Sequence, residues 1–255
     1  MSKTHLIIPD PHAHPDHNND RADWLSALIK DVKPDVVINM GDQWDFPSLS
    51  SYDKGKRSFH GRSYKADVDA GLEFSDRLWG PVRKAKKKLP RRIFLEGNHE
   101  ERIRRAQELS PELADTITYK DLDLTRDYDD IVFYKGGTPG VFKVEGIHYA
   151  HYFISGVMGR AIGGEHPAYS LLTKEFVSCT AGHLHVFDHS ERTTVGGRKI
   201  NGLISGVYQD YDSDWAGEIN KLWWRGVCIK RNVEGGNYDL QQVSINALRK
   251  EYGQT

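Results

Sequence analysis

The chain has 255 residues, 38% of them hydrophobic and 11% aromatic, with 35 basic and 36 acidic side chains for a net charge of −1. This is one domain's length with material for a sizeable core, and it excludes a disordered chain. It also excludes a global basic field that would draw the chain to nucleic acid, so any such contact needs a local patch.

The two cysteines, Cys179 and Cys228, exclude a disulfide scaffold and read as small buried apolar residues. No apolar run is long enough to span a bilayer, and the N-terminus lacks the basic and apolar regions of a signal peptide. The expectation is a soluble, cytoplasmic protein with no membrane partner; the oligomeric state is left open. Twelve histidines stand out, because histidine is a common metal ligand.

Leu6-Ile7-Ile8 reads as a short buried strand ending at Pro9-Asp10. Asn18 is placed to cap a helix from about Asp20 to Val32, with Trp24, Leu25, Leu28 and Ile29 on one face and Pro34 as the stop. Val36 to Met40 is a second buried strand, ended by Gly41-Asp42. Strand, helix, strand is a βαβ unit and implies a parallel sheet. Phe46 to about Gly61 reads as a surface loop long enough to be functional. A helix is expected from about Ser63 to Trp79, broken at Gly80-Pro81 and restarting over Val82 to Lys88. Ile93-Phe94-Leu95 is a third strand, and Glu100 to Leu109 is helical.

From Ile131 the pattern turns to short strands with Gly-rich turns, over 131–134, 141–144 and 147–151. Ser155 to Lys174 is helical in part, and Phe176 to Ala181 is another buried strand. Ile200–Leu203 and Trp223–Lys230 suggest antiparallel strands. Residues 1–245 form a single domain, and 246–255 form a polar tail that frays. An α/β first half and a β-rich second half are satisfied by two sheets packed face to face with helices outside.

Metal-ligand residue types recur just after apolar strands. Strand one ends in Asp10-Pro11-His12, strand two in Gly41-Asp42-Gln43-Trp44-Asp45, and strand three in Gly97-Asn98-His99-Glu100. A later strand ends near His151, and another in Gly182-His183-Leu184-His185. The carboxyl ends of parallel strands share one edge, so these clusters would converge. Asp-x-His alone is expected about once by chance, but Gly-His-x-His roughly 0.05 times and Gly-Asn-His-[Asp/Glu] roughly 0.005 times. Glycine before a ligand lets the backbone turn sharply and bring the next side chain close to an ion.

In order, the five blocks resemble the calcineurin-like metallophosphoesterases, over Asp10 to His185. The resemblance implies a four-layer α/β/β/α sandwich and two divalent metal ions, Mn²⁺ first, with Fe, Zn²⁺ or Ni²⁺ as alternatives. By that resemblance Asp10, His12, Asp42 and His185 hold one metal. Asp42, Asn98, His151 and His183 hold the second, with Asp42 bridging. Mixed imidazole, carboxylate and amide ligands without thiolate suit such ions. Two metals can share a hydroxide that attacks phosphorus in line. His99 would stabilise the transition state or protonate the leaving oxygen, and Asp45 would orient it; Glu100 is the other candidate partner. His151 is preferred to His148 as the lone ligand, because His148, three positions earlier, lies on the opposite face of the strand.

Other histidines read as bland. His14 and His17 belong to a polar loop near the mouth, His5 to the surface, His60 and His166 to loops, and His189 to the structure.

In the protein Ser/Thr phosphatase branch of that family, an arginine that grips a monoester phosphate follows Gly-Asp-x-x-Asp. Here the position is Phe46, then Pro47. A monoester carries more charge than a diester, so this favours a phosphodiesterase acting on nucleic acid or nucleotides. A phosphomonoesterase on nucleotides or phosphoproteins is the alternative, and a non-catalytic scaffold the third reading. Arg102 and Arg105 follow His99 and are candidate substrate contacts. The run Arg83-Lys84-Ala85-Lys86-Lys87-Lys88-Leu89-Pro90-Arg91-Arg92 reads as a solvated face at the far end of strand three. Tyr208 in Tyr208-Gln209-Asp210-Tyr211, with Trp215, and the Tyr52–Arg62 loop are candidates for base stacking.

Overall fold

The computed structural model describes residues 2–85 and 88–253. Lys86 and Lys87 of the basic run, and Gln254 and Thr255 of the tail, lie outside the described residues.

The protein is a mixed α/β structure with two main sheets. The first half supplies β1 (Lys3–Ile8), α1 (Asp20–Val32), β2 (Val36–Asn39), α2 (Tyr64–Lys84), β3 (Arg91–Leu95), α3 (Arg102–Leu109), α4 (Leu124–Asp127) and β4 (Asp130–Val132). Next come β5 (Phe142–Val144), β6 (Ile147–Ala150), β7 (Ile154–Ser155), β8 (Arg160–Ala161), α5 (Pro167–Glu175) and β9 (Ser178–Ala181). The chain ends with β10 (Phe187–Thr193), β11 (Lys199–Ser205), β12 (Gly226–Glu234), β13 (Asn237–Ser244) and α6 (Ile245–Tyr252).

The first sheet runs β13-β12-β1-β2-β3-β4, parallel from β1 to β4. The second runs β10-β11-β9-β6-β5, with β11, β9 and β6 parallel. The alternation of side chains along strands assigns the faces. Leu6, Ile8, Val37 and Phe94 pack with α1, α2 and α6, while Ile7, Ile38, Ile93 and Leu95 pack against Ile147, Tyr149 and Leu203 of the second sheet. The outer face of the second sheet buries Cys179 and Ile204 against Leu171 of α5. Both cysteines are free and buried, as expected.

Several elements depart from the reading of the sequence. The helix α2 runs through Pro81 without a break. Proline in a helix interior costs about 3 kcal/mol, but Leu78, Trp79 and Val82 flank it on the buried face, and a continuous helix keeps all three in the core. Residues 246–252 are no fraying tail. Ile245, Leu248 and Tyr252, at helical spacing, dock α6 on α1, and the Ser244 hydroxyl accepts from Ala247 N at 3.2 Å as the N-cap. Asn19, not Asn18, is the N-cap position of α1, and its side chain donates to Ala70 O across the helix pair. Strand β10 carries no apolar alternation and β13 only Tyr238 and Leu240; both are edge strands held by pairing with β11 and β12. β11 pairs antiparallel with β10, and β12 with β1 and β13, as read from the sequence; β11 also pairs parallel with β9, which the sequence did not mark. His5 is buried, not on the surface: it shares the Ile7 face of β1, with Nδ1 2.8 Å from the Tyr149 hydroxyl.

Among the described residues no helix is long and apolar enough to cross a membrane.

Candidate metal centre

The parallel strands of both sheets end at one edge, and the candidate ligands follow their last residues: Asp10 and His12 after β1, Asp42 after β2, Asn98 and His99 after β3, His151 after β6, and His183 and His185 after β9. All seven residues assigned to metal by resemblance come together. Around Asp10, His185 Nε2 lies 3.3 Å from Oδ2 and 3.2 Å from His12 Nε2. Around Asp42, His151 Nε2 lies 3.3 Å from Oδ2 and 3.0 Å from Asn98 Oδ1. Asp10, His12 and His185 form one compact donor group; Asp42, His151 and His183 form another. His12 Nε2, 4.0 Å from Asp42 Oδ2, links them.

The loops that carry these donors are strained. Asp10, His12, Asp42, His183 and His185 all have positive φ, between 38° and 66°. Such a backbone is uncommon outside glycine and persists only where the surroundings over-determine it. Of the preceding glycines, Gly41 turns the chain at φ 95°, whereas Gly97 and Gly182 serve close approach: a Cβ on them would come within 3.0 Å of Asp42 Oδ1 or Asp10 Oδ1, respectively.

Residues behind the donors hold them. His151 Nδ1 donates to Met40 O at 2.8 Å, which turns Nε2 toward Asp42 and Asn98. Asp45 Oδ1 lies 3.1 Å from Nδ1 of both His12 and His99, so the expected partner of His99 also orients a ligand. Glu100 is not that partner. Its buried carboxylate accepts from the backbone N–H of Asp42, Trp44 and Gly97, at 2.9, 3.0 and 2.9 Å, and ties two ligand loops together. Arg21, fully buried, donates to Pro11 O at 2.9 Å and Tyr208 O at 3.1 Å. Nothing in the local sequence around Glu100 or Arg21 marks either role, because their partners are backbone groups far along the chain.

The electrostatics suit a cation. Burial, and then the neighbouring His151, push the His183 imidazole down to about 3; burial also takes His185 to about 3. Both nitrogens are therefore unprotonated donors at neutral pH. Burial and the Asp42 charge push the Asp10 carboxyl upward, against the pull of His151 and His12. Asp10 Oδ1 is buried with no hydrogen-bond partner. A buried carboxylate with one unpartnered oxygen, whose Oδ2 lies 3.3 Å from the His185 Nε2 that faces His12 Nε2, fits a divalent ion.

His99 lies beside this group, with Nε2 3.8 Å from Asp42 Oδ2 and Nδ1 2.6 Å from Asp45 O. Arg102 donates to Asp45 O at 2.8 Å and Phe46 O at 3.1 Å, and its Nη2 is 3.1 Å from His99 Nε2. Arg105 donates to Asn98 O at 2.9 Å and pairs with Glu101. His148 stays on the opposite face of β6, away from the centre.

Tyr208 is not a substrate contact. It is fully buried, and its hydroxyl donates to Arg21 O at 2.8 Å. Tyr211 stacks on His17 at 3.7 Å and donates to His12 O, so it props the first ligand loop rather than offering a free platform. Sequence reasoning also missed Trp223, whose ring meets His185 edge-on at 4.4 Å. Of the described residues of the basic run, Arg83 at the end of α2 pairs with Asp127, and Arg91 and Arg92 at the start of β3 pair with Asp130 and Asp129, away from the centre.

No protein-family model matches the chain. No curated protein matches it either. Solved structures with a weak similarity to the chain include TT1561 of Thermus thermophilus, 10% identical over 95% of this chain and 99% of that one with a TM-score of 0.38, and a second crystal structure, 11% identical over 96% and 100% with a TM-score of 0.39. Neither likeness bears on the assignment of the site.

Proposed function

We propose that this protein is a calcineurin-like metallophosphoesterase: a hydrolase of phosphate esters with two divalent metal ions at the edge shared by its two sheets. The observation that carries the reading is the convergence of seven ligand-type side chains from five strand ends around the buried Asp42, with the Asp10 oxygen unpartnered. The packing of two sheets between α1, α2, α6 and α5 supports the family's four-layer sandwich.

Asp10, His12, Asp42 and His185 would hold one ion; Asp42, Asn98, His151 and His183 would hold the other. The mixed nitrogen and oxygen donors suit Mn²⁺ first, then Fe, Zn²⁺ or Ni²⁺. When bound, such ions polarise phosphoryl oxygens and make water a nucleophile at neutral pH. Hydrolysis adds water across one P–O ester bond: the water oxygen goes to phosphorus, and the leaving oxygen takes a proton. His99 is the group positioned to serve that leaving oxygen or the charge that develops there. Asp45 holds its ring through Nδ1; Nε2 lies 3.8 Å from Asp42 Oδ2 and accepts from Arg102 Nη2 at 3.1 Å, a contact that must open before Nε2 can carry the proton.

Diesters are favoured over monoesters. The residue after Asp45 is Phe46, buried and stacked on Trp44 and Tyr64, so no guanidinium comes from that position. A monoesterase is the second reading, and the guanidinium of Arg102 beside His99 is what favours it.

The test is hydrolysis of bis-p-nitrophenyl phosphate beside p-nitrophenyl phosphate in excess Mn²⁺, with His99→Ala as control. Faster diester cleavage that falls by about 100-fold or more in the variant is expected. Faster monoester cleavage would move the assignment to the second reading, and no cleavage of either ester would reject both.

A further inference from the structure

Beside the Asn98 and His183 end of the centre lies a cavity of about 590 Å³. The loop after Phe46 forms one wall, with Tyr52, Phe59 and Tyr64. The end of α3 and the turn after it form the other, with Leu109, Leu113 and Ile117. Tyr52 and Leu109 are 78% and 70% exposed, large apolar surfaces left in water beside a polar centre.

Four cations line the same cavity, Lys54, Arg62, Arg102 and Arg105, and no carboxylate does among the described residues, in a chain that has 36. Arg62 and Arg105 have acidic partners, Asp53 and Glu101. Among the described residues Lys54 has no ion pair, and Arg102 donates only to two carbonyls and His99. The cavity therefore combines aromatic and leucine lining, with Tyr52 its most exposed ring, and four cations beside Asn98 and His183 of the proposed metal centre. A free phosphate or a phosphorylated side chain would cover the cations and leave the apolar walls wet. A nucleoside phosphate covers both, its base on the aromatics and its phosphates on the arginines.

A base in a duplex is already stacked, and placing it in a cavity requires extruding it from the helix. A single strand carries no such barrier. Resting on the phosphodiesterase reading, we propose that this cavity seats one unstacked nucleoside next to the scissile phosphate, so that the substrate is single-stranded nucleic acid rather than duplex.

The test uses a fluorescein-labelled oligothymidylate, alone and annealed to its complement, at one fixed salt concentration. Binding is read by anisotropy in EDTA, and hydrolysis by gel in Mn²⁺. The single strand is expected to bind at least tenfold more tightly than the duplex. Tyr52→Ala should raise Kd for the single strand roughly tenfold. Leu109→Glu, about 10 Å along α3 from Arg102, should raise Kd and KM for it at least tenfold. Both variants should leave cleavage of methyl p-nitrophenyl phosphate, which has no nucleoside, within twofold of the parent. Equal binding of single strand and duplex, or variants that bind like the parent, would overturn the proposal. If methyl p-nitrophenyl phosphate is still cleaved in that case, the phosphodiesterase reading stands. If no diester is cleaved, that reading fails, and the anisotropy in EDTA decides on the cavity by itself.

Discussion

Alanine in place of Gly182 tests whether the ligand loops are packed to hold a cation. A Cβ there would lie closer than 3.0 Å to Asp10 Oδ1 and 3.2 Å from its Cγ. Asp10 cannot yield freely, because Oδ2 accepts from His183 N at 2.6 Å and its backbone already sits at φ 38°. The carboxylate must swing, which draws Oδ2 away from His185 Nε2 and disturbs the donor group. Disturbing a ligand's support is worth about 10- to 100-fold in metal affinity. At Mn²⁺ near 100 times Kd, the ion stabilises the parent by about 2.7 kcal/mol; a 100-fold weaker site retains about 0.4 kcal/mol at the same concentration. The difference, about 2 kcal/mol, lowers the Mn²⁺-induced rise in Tm by about 4–8 °C in a chain of this size. Overpacking also costs the metal-free protein about 1–3 kcal/mol. Gly80→Ala is the matched control. Beyond its chain neighbours its Cβ meets nothing within 4 Å, and whatever the Cβ costs against Pro81, it should leave the metal-induced rise unchanged. Scanning calorimetry with and without Mn²⁺ measures all of this. A Gly182→Ala protein with the parent's metal-induced rise would refute the claim that Gly182 is there for Asp10.

Asp42→Asn should weaken both ions, since Asp42 faces both donor groups; elemental analysis after gel filtration should find less than half the parent's metal. Glu100→Gln should cost about 2–4 kcal/mol in urea unfolding, because an amide N–H would face one of three backbone N–H donors. Lys230 is buried, and burial drives its ammonium down to about 7. Between pH 7 and 10 the unfolded chain keeps a proton that the folded chain releases, so stability rises with pH there, and below 7 the buried charge opposes folding in full. Lys230→Met should therefore raise stability at pH 6, and the parent should regain on the order of 2 kcal/mol on it by pH 9 in urea titrations.

The strands that carry the site were legible because β1, β2 and β3 carry apolar runs, β6 and β9 are short and largely buried, and each leads into a ligand motif. What the chain did not announce follows from contacts made far away in sequence. Strands β10 and β13 are edge strands whose order comes from a neighbour's backbone, so composition does not mark them. The helix α6 looked like a tail because only Ile245 and Leu248 are strongly apolar, yet α1 covers both. Tyr208 looked like a stacking platform because an aromatic near a site reads the same whether it faces ligand or core; Arg21, 187 positions away, decided it. Proline at 81 was read as a break because local propensity was weighed without the burial on either side of it.

The centre was legible in residue type and hidden in conformation. Each non-glycine residue at positive φ costs on the order of 1 kcal/mol, and five such residues sit among the proposed ligands. Folding alone would remove that cost by substituting glycine or asparagine, and would remove the unpartnered Asp10 oxygen with it. Glu100, Arg21 and Asp45 instead hold the strained loops in place from behind. A fold that keeps strain, a bare buried oxygen and two imidazole nitrogens face to face at 3.2 Å is organised for something that binds between them. Metal binding should accordingly stabilise the protein more than its contacts with a relaxed site would. The Gly182→Ala calorimetry reads that coupling directly.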